Sequence, residues 1–460
     1  MAEKENSKFK TKIGLVAATL GSAVGLGSIW RFPAEAQQNG GGAFLLVYLG
    51  CVLLLGIPVM IAELSLGRAG GADSVGSFKN LSPKRSLWWI GGMLGVISSY
   101  LIISFYMVVA GWTFEYLWDS ITGSLYSGVG QGEGLAQTGA IFHERMERYI
   151  SSDIPPLIST YVMILLNMGV LMLGVQKGIE RVSNILMPAL FVLLAVFCVY
   201  ALTMSGAGAG VEYFFKPDFS KVTWPMVGNA LGQTFFSLSL GTGILVTYAS
   251  YYPDSTNLAR TSTIVSLLTT LVAVMMGVII FPTVFTFGLS PEGMRGTTLV
   301  FVSLPEVFTR LPYPQLWSVM FFTLLLAAAL TSTISISEVS VAFVERRFGK
   351  SRGKATLITM LPLFVISAIC SLSFGSLSDV TILGMNIFNF LDTFATNIFL
   401  PVTALAVVVF IGWFAPKGTL ERQISNSGRV NRHVGTPLRF IIRYVAPVMI
   451  LIILLSGFFK

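Results

Sequence analysis

Two short stretches rich in glycine and hydroxyl residues interrupt otherwise apolar runs: Gly21-Ser22-Ala23-Val24-Gly25-Leu26-Gly27 and Ser237-Leu238-Ser239-Leu240-Gly241-Thr242-Gly243. Glycine weakens a helix interior by about 1 kcal/mol relative to alanine, so both runs are expected to break there. A break in a medium without water bares backbone carbonyls and amides, which is tolerated only where they line a cavity or bind something. Carbonyls suit a hard cation, amides suit a carboxylate, and the half-helix ends add dipoles of both signs. The chemistry that fits is recognition of a zwitterion together with a cation. Either stretch taken singly is as well explained by close helix packing, so the signal is the pair. Four ionisable residues, Arg31, Glu63, Glu338 and Asp392, also fall within apolar runs, where they are costly unless paired, wetted or used.

The elements that must position these residues are membrane spans. With 54% hydrophobic and 11% charged residues over 460 positions, and a mean hydropathy of +0.76, the chain has too little polar surface to cover a water-soluble globule of its size. Apolar runs of span length recur near 13–36, 42–67, 88–121, 157–174, 181–204, 226–252, 260–288, 317–347, 354–375, 381–414 and 438–458, predicting an all-α polytopic membrane protein of about eleven helices. No second domain is expected within 1–460. The net charge of +8 sits in short loops and not on one face or tail, which reads as topology and not as nucleic-acid binding.

Clusters at Lys79, Lys84 and Arg85, at Arg346, Arg347, Lys350, Arg352 and Lys354, and at Arg422, Arg429 and Arg432 place one side in the cytoplasm. The N-terminus is then cytoplasmic and the C-terminus outside. No cleavable signal is expected, because the first run begins after a basic start and carries Arg31 and Glu35. The polar segment 122–156, with Glu133, Glu144, Glu147 and Asp153, falls outside, and the Pro-containing stretch 296–312 is a candidate lid. Cys51, Cys198 and Cys370 each lie in an apolar run and read as core. The interruptions lie five spans apart, an odd spacing that predicts two inverted five-helix repeats, 13–204 and 226–414, with broken first and sixth helices and an additional helix at 438–458.

Gly21-Ser-Ala-Val-Gly-Leu-Gly27, followed by Ile29-Trp-Arg-Phe-Pro33 and Asn39-Gly-Gly-Gly-Ala-Phe44, closely resembles the neurotransmitter:sodium symporters, including the bacterial leucine transporter. The likeness continues through Gly56-Ile-Pro58, Glu63, Gly67-Arg68, Gly232-Gln-Thr-Phe-Phe-Ser-Leu-Ser-Leu-Gly241, Thr247-Tyr-Ala-Ser250 and Leu330-Thr-Ser332, nearly the whole chain. The rule about inverted repeats was itself drawn in part from this family, so rule and resemblance are not independent. The resemblance implies that Leu26 and Gly27 offer amides, and Tyr106 a hydroxyl, to a substrate carboxylate. Monoamine carriers of the family have aspartate at the position of Gly25; glycine leaves room for the substrate's own carboxylate and points to amino acids. The amino group would meet carbonyls near Ala23, Phe236 and Ser239, and the side chain would meet Ile102, Phe236, Thr242, Ser332 and Ile336, a mainly apolar lining that suits a hydrophobic amino acid.

Two sodium sites are implied. One uses carbonyls of Gly21, Val24 and Ala328 with the hydroxyls of Thr331 and Ser332; the other uses Ala23, Ser28, Ser237, Thr269 and the substrate carboxylate, a set of oxygens that a hard cation wants. Relatives usually carry asparagine at the position of Ser28 and asparagine or aspartate at that of Thr269. Chloride is left open: Tyr48, Gln233 and Ser237 match chloride-dependent members, whereas Ala273 stands near the place where chloride-independent ones carry an acid. Arg31 and Asp392 form the implied outer gate, with Tyr106 and Phe236 closing beneath them. Inside, the family ties a basic N-terminal segment to an aspartate and to the tyrosine that is Tyr251 here; Arg346 stands where that aspartate is expected, with Glu345 beside it. Gly178 and Pro188 enclose nine residues, resembling the motif at which the fifth helix unwinds.

Proton coupling through Glu63 or Glu338, or a nontransporting sensor, is the rival reading within the same scaffold. An enzyme is disfavoured, since His143 and His433 lie in loops and no hydrolase, zinc or phosphate-loop pattern fits. The expectation is a sodium-coupled amino-acid symporter of the inner (plasma) membrane that works by alternating access. Its partners are a small-molecule substrate and membrane lipid, with no nucleic acid and no obligate protein partner.

Overall fold

Residues 9–129, 135–288, 296–426 and 435–458 are described in the computed structural model, and most of them are helical. Glu133, Arg429, Arg432, His433 and Lys460 lie outside the described residues. Nine helices among the described residues are long and apolar enough to cross a membrane: Gly42–Gly70, Trp89–Thr122, Ile154–Met172, Val175–Leu202, Leu258–Phe287, Pro314–Phe348, Arg352–Leu372, Ile387–Phe414 and Thr436–Leu455. A tenth is the bent pair Lys12–Ala23 and Gly27–Gln38, whose halves meet at 58°. The region predicted to be the sixth span is two shorter helices, Trp224–Ser237 and Ile244–Ala249. Spans are numbered below in chain order, with the bent pair as the first and this broken pair as the sixth.

Proline shapes these helices in one recurring way. Wider, π-type turns over Gly27–Arg31, Val52–Gly56, Leu299–Ser303, Ala395–Phe399 and Ile441–Val445 each end two residues before a proline: Pro33, Pro58, Pro305, Pro401 and Pro447. Proline has no N–H and its ring crowds the preceding turn, so the helix widens there instead of breaking. Breaks occur where glycine, not proline, is concentrated. Caps fix the starts: Thr11 accepts from Gly14 N at the head of the first span, and Thr223 from Met226 N at the head of the sixth.

One expectation is corrected in detail. The stretch 381–386 predicted to open the tenth span is a two-stranded hairpin pairing Thr381 with Asn386, because Leu383 and Gly384 take positive φ at its tip. Asn386 then caps the helix that starts at Ile387. The fifth span is wound through the Gly178–Pro188 interval, with a wide turn at Val175–Glu180 and a continuous helix Arg181–Leu202 around Pro188.

The third and eighth spans pack along each other at the centre. A shift of five spans maps many observed packings onto others: first-with-seventh onto sixth-with-second, third-with-fourth onto eighth-with-ninth, and fifth-with-eighth onto tenth-with-third. The stretch read as a lid is a short apolar helix, Gly296–Phe308, buried on Trp112 and Tyr116 of the third span through Phe301. Burial pushes the carboxyl of its Glu306 above the ordinary glutamate value, with Arg310 acting in the opposite sense.

Candidate functional site

Both breaks have their bared backbone groups answered by side chains from neighbouring spans. In the first, Leu26 N donates to Tyr106 Oη at 2.9 Å, Ser332 Oγ donates to Gly21 O at 3.1 Å and Val24 O at 3.4 Å, and Gln233 Nε2 donates to Gly27 O at 3.1 Å. In the sixth, Gly241 N donates to Glu63 Oε1 at 2.7 Å, and Ser99 Oγ donates to Thr242 O. The two breaks are tied directly by Ser239 Oγ donating to Ser22 O at 2.7 Å. Ser239 itself has positive φ, and its carbonyl accepts from Thr242 Oγ1 at 2.7 Å. Glu63 thus has a structural use: its carboxyl anchors the sixth break.

Glycine at two positions of the first break is a matter of space. A Cβ on Gly25 would lie 2.6 Å from Ser332 Oγ and 2.8 Å from Tyr106 Oη; one on Gly27 would lie 2.2 Å from the Phe236 ring. Tyr106 and Ser332 thus crowd Gly25, Tyr106 bonds Leu26 and Phe236 lies against Gly27, while Ile102, Tyr106, Thr242, Ser332 and Ile336 are all buried. A cavity of about 620 Å³ lies elsewhere. It is bounded by the Lys12–Leu20 half of the first span, the fifth span near Pro188, and the seventh span near Arg260.

The five residues of the first predicted ion site fall together. Ser332 reaches two of its three carbonyls, while Thr331 Oγ1 donates to Ala328 O at 3.1 Å and to Ala327 O at 3.0 Å. A Cβ on Gly21 would lie 3.0 Å from Thr331 Cβ, so the two helices touch at this point. At the second predicted site, the Ser28 and Thr269 hydroxyls are buried without a hydrogen-bond partner, on segments that pack together. Ser237 Oγ accepts from Gln233 Nε2 at 2.8 Å. Buried hydroxyls are normally paired, so orphaned oxygens here suit a hard cation. The residues present fit sodium at both places.

The outer pair is not a direct ion pair. Arg31 Cζ sits 4.8 Å above the centre of the Phe236 ring and its Nε lies 3.8 Å from Glu35 Oε1. The other end of the molecule is tightly closed. Tyr251 Oη donates to Glu338 Oε1 at 2.6 Å, and Arg352 holds both oxygens of Glu338, its Nη1 at 2.8 Å from Oε1. Glu345 lies 3.4 Å from Arg352, while Arg346 stands 5.1 Å over the Tyr251 ring. Phe9 packs its ring against Tyr248, Tyr251 and Tyr252, and Glu180 accepts from Lys10 N, Thr11 N and Thr11 Oγ1.

Sequence reasoning missed Phe9, Thr11 and Glu180, and named Arg352 only as a loop charge. Glu180 stands two residues from the Gly178 it singled out, the one signal that could have found it. Glu338, a candidate for proton coupling, is fully buried in a two-pronged ion pair, which gives it a structural role.

This arrangement of broken helices around a closed polar centre defines a class, and comparison with known proteins identifies it: the chain belongs to the sodium:neurotransmitter symporter family, whose model matches residues 6–129 and 144–460. It is a sodium-dependent, multi-pass membrane transporter and not an enzyme. Among individual proteins, it is 37% identical to an uncharacterized sodium-dependent transporter, YhdH, of Bacillus subtilis, over 99% of this chain and 98% of the relative. An uncharacterized sodium-dependent transporter of Haemophilus influenzae is 34% identical over 99% of each chain. The crystal structure of MhsT in complex with L-phenylalanine matches with a TM-score of 0.88 and 40% identity, covering 98% of this chain and 99% of that one.

Proposed function

We propose that the protein is a sodium-coupled symporter that imports amino acids with hydrophobic side chains by alternating access. The observation that carries this reading is the contact of the two breaks across one point, with Tyr106, Phe236 and Ser332 closed around Leu26 and Gly27. An amino acid entering there exchanges the Tyr106 hydroxyl's bond to Leu26 N for bonds to its own carboxylate. Its amino group meets carbonyls near Ala23, Phe236 and Ser239, and its side chain meets Ile102, Thr242 and Ile336. Glycine at position 25 keeps a fixed negative charge away from that carboxylate. A bound phenylalanine in the 40%-identical relative supports the hydrophobic preference.

Two sodium ions are assigned, one to Gly21, Val24, Ala328, Thr331 and Ser332, the other to Ala23, Ser28, Ser237, Thr269 and the substrate carboxylate. Sodium adds fixed positive charge beside the carboxylate, which couples the two affinities. Spans one to five (13–204) and six to ten (226–414) act as inverted halves, with 438–458 outside the repeat; the packings that repeat after a shift of five support this. Tyr106 and Phe236 close under Arg31 and Asp392 on the outside, and the Tyr251–Glu338–Arg352–Glu345 cluster seals the inside. The fifth span unwinds between Gly178 and Pro188 to admit water. The N-terminus faces the cytoplasm across the inner membrane and the C-terminus the outside.

Thermal melting of the purified chain tests the binding half of this reading. Phenylalanine, leucine or isoleucine should raise the melting temperature in sodium and leave it unchanged in potassium. Equal stabilisation in both salts, or stabilisation by charged amino acids alone, contradicts the assignment.

A further inference from the structure

Among the described residues, the side chain of Arg443 meets aromatic rings and no acid. Arg443 lies seven residues into the span Thr436–Leu455, about 10 Å along the helix axis. Its guanidinium carbon sits 3.9 Å above the centre of the Trp413 ring and 5.6 Å from that of Tyr444. Its Nε is buried without a hydrogen-bond partner, and among the described residues no carboxylate pairs with it. Glu421, an acid at the same end of the molecule, is taken by Arg439 at 2.8 Å. The backbone around Arg443 is fixed: Trp413 Nε1 donates to its carbonyl at 3.1 Å, and Gly412 lets the tenth span approach its Cα.

A guanidinium stacked by its face keeps its in-plane N–H donors directed outward, and these match a phosphate two at a time. An arginine this deep in a span is costly unless something answers it. Above it, Val448, Leu451 and Ile452 are half-exposed, a surface for acyl chains, and Phe414 and Tyr444 are exposed aromatics of the kind that settle at headgroup level. Lys417 and Arg422 add positive charge at this end.

We propose that Arg443, Trp413 and Tyr444 form a binding site for the headgroup phosphate of one anionic phospholipid, with its chains lying along the eleventh span. The site is separate from the transport site and does not depend on the function proposed above. The guanidinium takes the phosphate edge-on, and the two rings fix its plane, so the bound lipid braces the tenth span against the eleventh.

Native mass spectrometry of the full chain, released from mixed micelles of phosphatidylglycerol and phosphatidylcholine, tests it. The wild type should retain one phosphatidylglycerol at a concentration at least tenfold lower than Arg443→Gln requires, with Arg443→Lys intermediate and phosphatidylcholine held equally weakly by all three. Cooperative thermal melting of each variant, independent of added sodium or amino acid, reports that it is folded. Equal retention by wild type and Arg443→Gln overturns the proposal. So does displacement of the lipid by millimolar inorganic phosphate, which makes this a solute-anion site, or a loss of dimers in Arg443→Gln without a change in lipid, which assigns the face to a second copy of the chain.

Discussion

Glu338 carries the most consequential single contact outside the transport site. Fully buried, it accepts from Tyr251 and from both arms of Arg352. Glu338→Gln removes the charge and one acceptor, leaving the mostly buried Arg352 with Leu171 O on its Nε and Glu345, at 3.4 Å, as its remaining carboxylate. Breaking a buried pair from one side costs about 3 kcal/mol or more. The variant should melt at a lower temperature than the wild type, and the double variant Glu338→Gln/Arg352→Gln should recover part of that loss. A double variant less stable than either single one argues against a compensated pair. Ser28 and Thr269 belong to the same scale. The resemblance offers their hydroxyls as ligands although relatives usually carry amide or acid side chains there, and the structure buries both without a hydrogen-bond partner.

At the scale of elements, the broken sixth span is held by Gly241 and Gly243, both at positive φ, and by Glu63 receiving the Gly241 amide. A Cβ on Gly241 would also lie 2.1 Å from the backbone oxygen of Leu400, which has no room to yield. Gly241→Ala should therefore abolish folded protein as judged by monodisperse gel filtration, whereas Gly232→Ala, with nothing within 4 Å of its added Cβ, should fold normally. Equal yields of the two would remove the close approach as an explanation.

The breaks were legible because glycine and hydroxyl clusters stand out in apolar runs, and span positions were legible from run length. The hairpin at 381–386 was not: its strands are two residues each, too short for an alternation to appear, and its hydrophobic residues extended the run of the tenth span. Nor was the widening before Pro33, Pro58, Pro305, Pro401 and Pro447. Which side chains meet depends on rotamers and on how separate helices pack, so Arg352 with Glu338, on consecutive spans, and Glu180 with Thr11, far apart in sequence, became visible only in three dimensions.

For the whole molecule, the two ends differ in how firmly they are shut. The end that carries the N-terminal segment is locked by Phe9 against three tyrosines, by Glu180 on the N-terminal backbone, and by the Glu338 cluster. The opposite end has Arg31 over Phe236 and no direct bond to Asp392. On the alternating-access mechanism proposed above, the first half of the first span must be released, and Glu180 is its tether to the fifth. Glu180→Gln removes the charge and one of the two accepting oxygens, so either Lys10 N or Thr11 N loses its partner, a hydrogen bond to a charged group worth about 1.5–3 kcal/mol. Amide exchange across residues 9–20 should rise about tenfold or more; unchanged exchange would mean that Phe9 alone holds the segment.

Coupled transport is the central claim, and uptake of a labelled hydrophobic amino acid into proteoliposomes tests it most directly. An inward sodium gradient should drive accumulation that neither potassium nor an inward proton gradient supports, and changing Thr331 and Ser332 together to alanine should collapse it. Accumulation driven by protons and indifferent to sodium would contradict the ion assignment, and binding without any uptake would contradict transport itself.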